Sequence, residues 1–467
     1  MKTSTIAFAA TLLSLTQAIS LVKRDQGPPA VVHADTQRRQ VANPLLRDRL
    51  RRRAGTVQQT LDNLETLYFA NVSLGTPGQT LRLHLDTGSS DLWTNVASSQ
   101  LCQTRGSPCS VAGTFAPNSS TTYKYLNGDF NISYVDGSGS TGDYVSDTLR
   151  IGGATLKNQQ FGIGYQSSSP QGILGIGYPV NEVAVNRAGS QPYANVPLNM
   201  VQQGLINANA YSLWLNDLDA STGSILFGGV NSDKFHGSLQ TLPVIKEAGI
   251  YAEFVIALTA VGINGKAGSI TSKQAYPVLL DSGSSLMYLP DSVANAIFKQ
   301  LGATYDQSQG AAFVDCSLAR NTSTVDFTFS SPTISVAMNE LVIVAGVSRG
   351  QPICILGIAP AGSSTPVLGD TFLRSAYVVY DLHNNQISLA QTNFNSTTDN
   401  ILEISNSTGV PDATGVASAV SSAAVATGGA RNGGQPSVTS TGGAPAPTIF
   451  KYGAAVAAAG AGLMFAL

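Results

Sequence analysis

The chain has 467 residues, 43% of them hydrophobic and 12% charged, which is enough for two or three domains with real cores and excludes disorder along its whole length. Its formal net charge of −2 hides an asymmetry, because residues 1–53 hold ten basic and three acidic side chains while the remainder is net −9. The acidic body argues against a nucleic-acid partner, and four scattered histidines argue against a His-built metal site. We expect no cofactor.

The N-terminal segment has the pattern of a secretory signal peptide over residues 1–18: Lys2, an apolar run over residues 6–15, and small residues at Thr16 and Ala18. A buried N-terminal helix is the alternative. Residues 19–53 carry a net charge of +6 and end in three arginines at 51–53, which is typical of a pro-segment cut at dibasic sites. We therefore predict processing by a kexin-like protease and a mature chain that begins near Ala54.

The body, residues 54–395, is predicted to be all-β. Between residues 67 and 390 most segments are short and alternating, rich in Val, Ile, Tyr, Phe and Thr, and separated by Gly or Asn/Asp. Only residues 197–206 and Asp291–Leu301 read as helices, the second capped by Asp291 and stopped by Gly302. We predict an N-terminal lobe over residues 54–235 and a C-terminal lobe over residues 236–395.

The C-terminal segment has a different composition. Of the 43 residues from 405 to 447, 33 are Ser, Thr, Gly, Ala or Pro, so we predict a flexible stalk over residues 396–442. Residues 443–467 end in fifteen uncharged residues and read as a GPI-anchor signal, with Gly442 or Asn432 as the attachment residue. A C-terminal membrane span is the competing interpretation, although fifteen residues fall short of the roughly twenty that a span needs.

Cysteines and glycosylation motifs fit a secreted protein. Of the three possible pairings of four cysteines, the economical one joins Cys102 to Cys109 and Cys316 to Cys354. Six Asn-x-Ser/Thr motifs are candidate N-glycosylation sites: Asn71, Asn118, Asn131, Asn321, Asn395 and Asn406.

The body contains an internal repeat. The strand-like LRLHL runs into DTGSS at Asp86, and YPVLL runs into DSGSS at Asp281, 195 residues later. An apolar-apolar-Gly element follows each aspartate at nearly equal distance, at residues 173–175 and 367–369. Two matched lobes, each with a carboxylate at the end of a strand, are therefore expected.

Two carboxylates that meet between such lobes cannot both ionise cheaply, so Asp86 and Asp281 are expected to share one proton and titrate as a unit. The ionised one then takes a proton from a water while the protonated one donates to a peptide carbonyl oxygen. Glycines that permit the tight turns and serines placed to bond the outer carboxylate oxygens support this pair: Gly88, Gly283, Ser89 and Ser284.

Five motifs resemble the pepsin-like aspartic proteases over about residues 65–392: DTGSSDLW, ISYVDGS, GILGIG, DSGSS and VLGDTFLR. The resemblance implies a bilobed fold, catalytic Asp86 and Asp281, and paired loops braced by Thr87 and Ser282. It also implies a flap hairpin over residues 132–142. In that flap Tyr134 closes on the substrate, with Trp93 near its hydroxyl. Two positions depart from the common family pattern: Val135 stands where many members have Gly, and Ser282 where many have Thr.

The ends of the chain resemble those of the fungal yapsin group, which cleaves after Lys or Arg. Asp136 in the flap is a candidate for attracting a basic side chain, and capping of the flap turn is the alternative role. These features predict a monomeric, GPI-anchored endopeptidase on the extracellular face of the cell, acting on peptides or proteins at acid pH. The pro-segment is expected either to cover the cleft or only to assist folding.

Three other functions have partial motifs. Residues 137–142 match a dinucleotide fingerprint, but another strand follows where a helix is required. Residues 346–350 match a serine nucleophile elbow followed by Asp370 and His383, yet Pro352 argues against the necessary helix. The third is a non-catalytic surface glycoprotein that uses the bilobed fold for binding.

Overall fold

The structure, a computed structural model, describes residues 30–39, 67–134, 138–220, 222–272 and 274–423. Strands β1 to β12, in chain order, are Val32–Arg39, Leu67–Leu74, Gln79–Asp86, Leu92–Asn95, Lys124–Ser133, Gly139–Ile151, Ala154–Ser167, Ile173–Gly175, Ala210–Trp214, Thr222–Phe227, Gly229–Asn231 and Phe235–Pro243. Strands β13 to β29 are Val255–Leu258, Ala260–Ile263, Lys266–Thr271, Tyr276–Leu280, Met287–Leu289, Thr304–Asp306, Ala311–Val314, Thr324–Thr328, Thr333–Ala337, Val342–Ser348, Gln351–Leu356, Ile358–Pro360, Val367–Leu368, Ala376–Asp381, Gln386–Thr392, Ile401–Glu403 and Ala413–Gly415.

Helices in the described residues are short. Helices α1 to α5 are Val183–Ala188, Val196–Gln202, Asp291–Leu301, Met338–Leu341 and Asp370–Leu373. Single 3₁₀ turns occupy Pro108–Ser110, Pro117–Ser119, Pro179–Asn181, Ser232–Lys234 and Cys316–Arg320. The all-β expectation is confirmed, as are both predicted helices. None of the helices in this part of the chain is long and apolar enough to cross a membrane.

Helix α3 shows why the sequence reads as a helix at this point. Val293, Ala294, Ile297 and Phe298 recur at helical spacing and are all buried against the core. Gly302 ends the helix with a positive φ of 69°, a conformation that glycine adopts without steric cost. The predicted cap is displaced by one residue, because Asp291 is the first helical residue and its carboxylate instead accepts a hydrogen bond from a loop amide at position 362.

The internal repeat appears as two equivalent strand arrangements. Strand β3, which ends at Asp86, lies parallel to β8, with Asp86 opposite Gly175. Strand β16, which ends just before Asp281, lies parallel to β25 in the same way. Each aspartate therefore leaves the end of a buried strand, flanked by the apolar-apolar-Gly element that the sequence predicted.

A 14-stranded sheet connects the two halves of the chain. Its order is β29-β12-β27-β26-β9-β10-β1-β2-β3-β8-β4-β7-β6-β5. Strands β26 and β27, from the second half, pair with β9 and β12. The predicted lobe boundary at residues 235/236 falls inside β12, so the lobes share this sheet. Among the described residues, the other strands of the C-terminal half form two four-stranded sheets and one of five strands, apart from β28, which pairs with β11 in a two-stranded sheet.

The described part of the predicted pro-segment is a strand of this central sheet. Strand β1 lies between β10 and β2, with Val32 opposite Phe227 and Arg39 opposite Leu67. Val32, Ala34 and Thr36 are buried on one side of the strand. This strand was not predicted from the sequence, because its alternation of small and polar residues is too weak to stand out in a basic segment.

The described part of the predicted stalk, residues 396–423, is more than half of it and packs on the body. Strand β28 pairs with β11, β29 runs parallel to β12, and hydrophobic side chains as far as Ala423 contact the core. Composition suggested a stalk from residue 396, so the structure moves any stalk beyond residue 423. The predicted signal peptide, residues 19–29 and 40–53 of the predicted pro-segment, and the predicted GPI-anchor signal lie outside the described residues.

Candidate active site

Asp86 and Asp281 lie at equivalent positions in the two lobes and are almost inaccessible to solvent, with 2% and 4% of their surfaces exposed. Each side chain folds back on its own loop. The Gly88 amide donates to Asp86 Oδ1 at 2.9 Å, and the Gly283 amide donates to Asp281 Oδ1 at 2.8 Å. The two loops thus hold their carboxylates in the same way, as expected for a pseudo-twofold pair.

The two loops face each other at very close range. A Cβ placed on Gly283 would lie 2.3 Å from Asp86 Oδ1 and 2.9 Å from Asp281 Oδ1. The separation of the two oxygens therefore cannot exceed the sum of these distances. A Cβ on Gly88 would lie 2.5 Å from Asp281 Oδ1. These glycines do not have positive φ angles. Both glycines lie in turns, as the sequence predicted. Glycine is required there because the opposite carboxylate leaves no room for a side chain, and not because of the φ angles of the turns.

Crossed hydrogen bonds lock the two loops together. Thr87 Oγ1 donates to Leu280 O at 3.0 Å, and Ser282 Oγ donates to Leu85 O at 3.0 Å. Each backbone amide also donates to the opposite hydroxyl: Ser282 N to Thr87 Oγ1 at 3.0 Å and Thr87 N to Ser282 Oγ at 3.2 Å. Because every bond crosses between lobes and is buried, these two residues fix the distance between the carboxylates.

The outer oxygens of the carboxylates each accept a serine hydroxyl. Ser89 Oγ donates to Asp86 Oδ2 at 2.6 Å, and Ser284 Oγ donates to Asp281 Oδ2 at 2.7 Å. With the outer oxygens occupied, the two Oδ1 atoms are the ones that face across the seam. This arrangement suits a shared proton and a water held between two carboxyl groups.

A hairpin formed by β5 and β6 carries Tyr134 at its tip. The Tyr134 hydroxyl accepts a hydrogen bond from Trp93 Nε1 at 2.7 Å, and the Tyr134 amide donates to Ser138 O at 2.7 Å. Trp93 is fully buried and belongs to the strand that follows the Asp86 loop. Val135 and Asp136 lie outside the described residues.

Four polar side chains behind the hairpin were not predicted from the sequence: the buried Asp91, Tyr144 and Glu182, and the partly buried Tyr193. Asp91 Oδ1 accepts the hydroxyls of Tyr144 at 2.7 Å and Tyr193 at 3.0 Å. Glu182 Oε2 accepts the Tyr193 amide at 2.9 Å. Burial raises the pKa of Asp91 against the opposing effect of its donors, and burial together with the Asp91 charge raises the pKa of Glu182 to about 9. Asp91 belongs to the DTGSSDLW motif, but nothing in the sequence connects it to the other three.

Both predicted disulfides are confirmed. Cys102 is bonded to Cys109, and Cys316 to Cys354. The side chains of all six Asn-x-Ser/Thr asparagines are exposed, a condition for glycosylation: Asn71, Asn118, Asn131, Asn321, Asn395 and Asn406.

The two competing catalytic motifs lack their required helices. The dinucleotide fingerprint, residues 137–142, runs into strand β6, which spans residues 139–151. The first three residues of the nucleophile-elbow motif end strand β22, and Arg349 and Gly350, both at positive φ, form the turn into β23. Neither motif has the helix N-terminus on which its chemistry depends. Within the described ranges, no group of three or more His, Cys, Asp or Glu side chains is arranged to bind a metal ion.

Residues 67–392 match the family model described as eukaryotic aspartyl protease. The chain is 57% identical over 449 residues to a probable aspartic-type endopeptidase opsB of Aspergillus oryzae, covering 92% of each chain. It is 41% identical to secreted aspartic protease 8 of Candida albicans, over 73% of this chain and 79% of that one. The crystal structure of aspartic proteinase from Irpex lacteus has a similar fold, with a TM-score of 0.60 at 22% identity, covering 79% of this chain and 99% of that chain.

Proposed function

The chain belongs to the eukaryotic aspartyl protease family and is an aspartic-type endopeptidase, and from this premise we propose that Asp86 and Asp281 are its catalytic pair. One observation carries the assignment. A Cβ added to the glycine of either loop would collide with the carboxylate of the other loop, so the two groups converge on one point between the lobes. The crossed bonds of Thr87 and Ser282 hold them there.

The geometry supports general acid–base hydrolysis of a peptide bond. The pair shares a proton, because two adjacent buried carboxylates cannot both carry a charge cheaply. The ionised Oδ1 removes a proton from a water between the two groups, and the protonated carboxyl donates its proton to the substrate carbonyl oxygen. Attack by the water gives a tetrahedral diol, and no covalent bond to the enzyme forms. Since one carboxyl must be protonated, activity is expected to be greatest at acid pH.

Substitution of the pair tests this assignment. Asp86→Asn and Asp281→Asn keep the size of each side chain but remove the titrating group, so each is expected to lower kcat/KM by at least about 10³-fold. Cleavage of a peptide library is measured between pH 3 and pH 7, with and without a transition-state-analogue inhibitor. Undiminished cleavage by either variant would reject the assignment. A non-catalytic binding protein would show no cleavage in the unsubstituted chain either.

We place the enzyme on the outside of the cell, attached through a GPI anchor, as in the yapsin group. The leader-like residues 1–18, the apolar tail over residues 453–467 and six exposed glycosylation motifs support this location, as does the relative named a secreted aspartic protease. Phosphatidylinositol-specific phospholipase C is expected to release the protein from intact cells. Replacing Gly442 or Asn432 with a bulky residue identifies the attachment position, and a protein that resists the phospholipase would contradict anchoring.

The pro-segment is proposed to keep the enzyme latent until a kexin-like protease cuts after Arg53. Strand β1 anchors its described part in the central sheet, and Arg39 lies opposite Leu67. The intervening chain, which carries the arginines at 51–53, therefore leaves and re-enters the body at adjacent positions. Replacing these three arginines by glutamine is expected to give an uncut, inactive precursor. An uncut protein with full activity would show that the segment only assists folding.

A preference for Lys or Arg before the scissile bond is the remaining proposal. The net charge of −9 after residue 53 supports it by attracting basic peptides. Matched peptides with Lys or Leu before the scissile bond test it, and Asp136→Asn shows whether the flap aspartate is responsible. Equal rates for the two peptides, or faster cleavage of the Leu peptide, would reject the preference.

A further inference from the structure

Two buried carboxyl groups that the proposed reaction does not use lie behind the flap hairpin. Asp91 and Glu182 are both completely buried. Asp91 uses both oxygens: Oδ1 accepts the hydroxyls of Tyr144 and Tyr193, and Oδ2 accepts the Val183 amide at 2.9 Å. A carboxylate with three donors and no solvent is a rigid junction, because displacing any donor leaves a buried acceptor unsatisfied.

The donors come from three separate elements. Tyr144 belongs to β6, the strand that returns from the flap. Val183 begins helix α1, and Tyr193 lies between α1 and α2. Asp91 itself ends the loop that begins with Asp86. The junction therefore attaches the base of the flap, and the segment behind it, directly to the loop that holds one carboxylate of the proposed pair.

Aromatic packing continues from the junction to the flap tip. The Tyr144 ring lies edge-on to Phe130, with ring centroids 5.3 Å apart, and Phe130 lies 6.3 Å from the Trp93 ring. Trp93 donates its indole N–H to the Tyr134 hydroxyl at 2.7 Å. Tyr193 packs edge-on to Tyr144, with centroids 5.8 Å apart. A displacement of Tyr144 is thus transmitted through side chains in contact to the residue at the flap tip.

We propose that Tyr144 and Tyr193 are positioning residues, which fix the base of the flap against the Asp86 loop through their hydrogen bonds to Asp91 and so place Tyr134 over the substrate. This inference rests on the proposed function, because it assumes that the flap closes on peptide bound at the Asp86–Asp281 pair. Neither tyrosine touches the reacting atoms. Their loss should weaken binding of the ground state and the transition state alike, which raises KM and leaves kcat nearly unchanged.

The test removes one hydroxyl at a time and keeps the ring. Tyr144→Phe and Tyr193→Phe are each expected to raise KM about fivefold with kcat within about twofold of the parent. Tyr377→Phe is the matched control, because the Tyr377 hydroxyl also makes two buried hydrogen bonds at 2.7 Å, to Ser212 Oγ and from Asn231 N, in a separate hydrophobic cluster. Rates are normalised to active sites titrated with a tight-binding inhibitor.

Tryptophan fluorescence gives a readout that does not require turnover. The chain has two tryptophans, Trp93 and Trp214, so Trp214→Phe leaves Trp93 as the reporter of the flap contact. In that background Tyr144→Phe is expected to shift the emission of folded protein to longer wavelength, and Tyr377→Phe is expected not to. If Tyr144→Phe fails to fold, Tyr193→Phe decides by the same two measurements.

An unchanged KM in the tyrosine variants, or an equal change in the control, would overturn the inference even if Asp86→Asn abolishes cleavage. Activity that survives Asp86→Asn would instead reject the proposed function itself. The two failures are therefore distinguishable.

Discussion

Replacing Gly283 with alanine should separate the two carboxylates without removing either. The new Cβ would lie 2.3 Å from Asp86 Oδ1, whereas real Cβ contacts essentially never fall below 3.0 Å. The Asp86 carboxylate, or the whole Asp281 loop, must therefore retreat by roughly 1 Å, and a displacement of that size costs about 10²-fold in rate when it misplaces a catalytic group. The steric cost to the free energy of unfolding should be about 1–3 kcal/mol, the usual range for overpacking a filled interior.

Steady-state cleavage of a fluorogenic peptide measures the rate, and urea unfolding measures the stability. Gly346→Ala is the matched control, because a Cβ there meets nothing within 4 Å and the residue is not at positive φ. The control is expected to match the parent in both measurements. If Gly283→Ala retained the parental kcat/KM, the two carboxylates would not converge as closely as the structure indicates, and the reasoning for a shared proton would fail with it.

Three further predictions concern stability. Replacing both Cys316 and Cys354 with serine opens a loop closed across 38 residues, so the unfolded chain gains conformational entropy. The free energy of unfolding, measured in urea, should fall by about 3–4 kcal/mol, and a loss below about 0.5 kcal/mol would contradict this reasoning. Burial raises the pKa of Glu182 in the folded protein to about 9, above its ordinary 4.5. Its contribution to the free energy of unfolding is therefore complete below pH 4.5 and falls, by at most about 1.4 kcal/mol per pH unit, as the pH rises towards 9. Glu182→Gln should flatten the fall in melting temperature over this range, and an unchanged pH profile would show that burial does not suppress this charge. Arg374 is buried, and its Nε lies 2.5 Å from Glu340 Oε2. Glu340→Gln leaves this guanidinium without its ion pair and should lower the free energy of unfolding by about 3–5 kcal/mol. An unchanged free energy of unfolding in urea would show that solvent reaches Arg374.

The repeat was the part of the fold most readable from the sequence. The spacing of Asp86 and Asp281 and of the apolar-apolar-Gly elements after them predicted two matched lobes, each with a carboxylate at a strand end. The structure adds that each of these elements pairs with the strand before its aspartate, β8 with β3 and β25 with β16. Helix α3 was equally legible, because its apolar spacing and the glycine after it are local signals. Both disulfides followed from economy of pairing and are confirmed.

Strand β1 and the segment after residue 396 were not readable in this way. Residues 32–39 mix apolar, polar and charged side chains. Their place between β10 and β2 is decided by the backbone hydrogen-bonding groups that these two strands present to each other's side of the sheet. Residues 396–423 were predicted to be a stalk, yet β28 in this segment pairs with β11, and β29 pairs with β12. Pairing with an existing sheet supplies the hydrogen bonds that composition alone cannot predict.

By itself, the order of residues determined the chemistry of the proposed site: two carboxylates at strand ends, with glycines and hydroxyl residues beside them, because such features are local and repeated. Only the tertiary structure decided how these groups act on one another. It showed that Gly88 and Gly283 are needed because the opposite carboxylate is too close, and that Asp91 lies in a buried junction with tyrosines far along the chain. Such contacts join residues that are far apart in the chain. They depend on how separate elements pack, and local sequence patterns do not predict that packing.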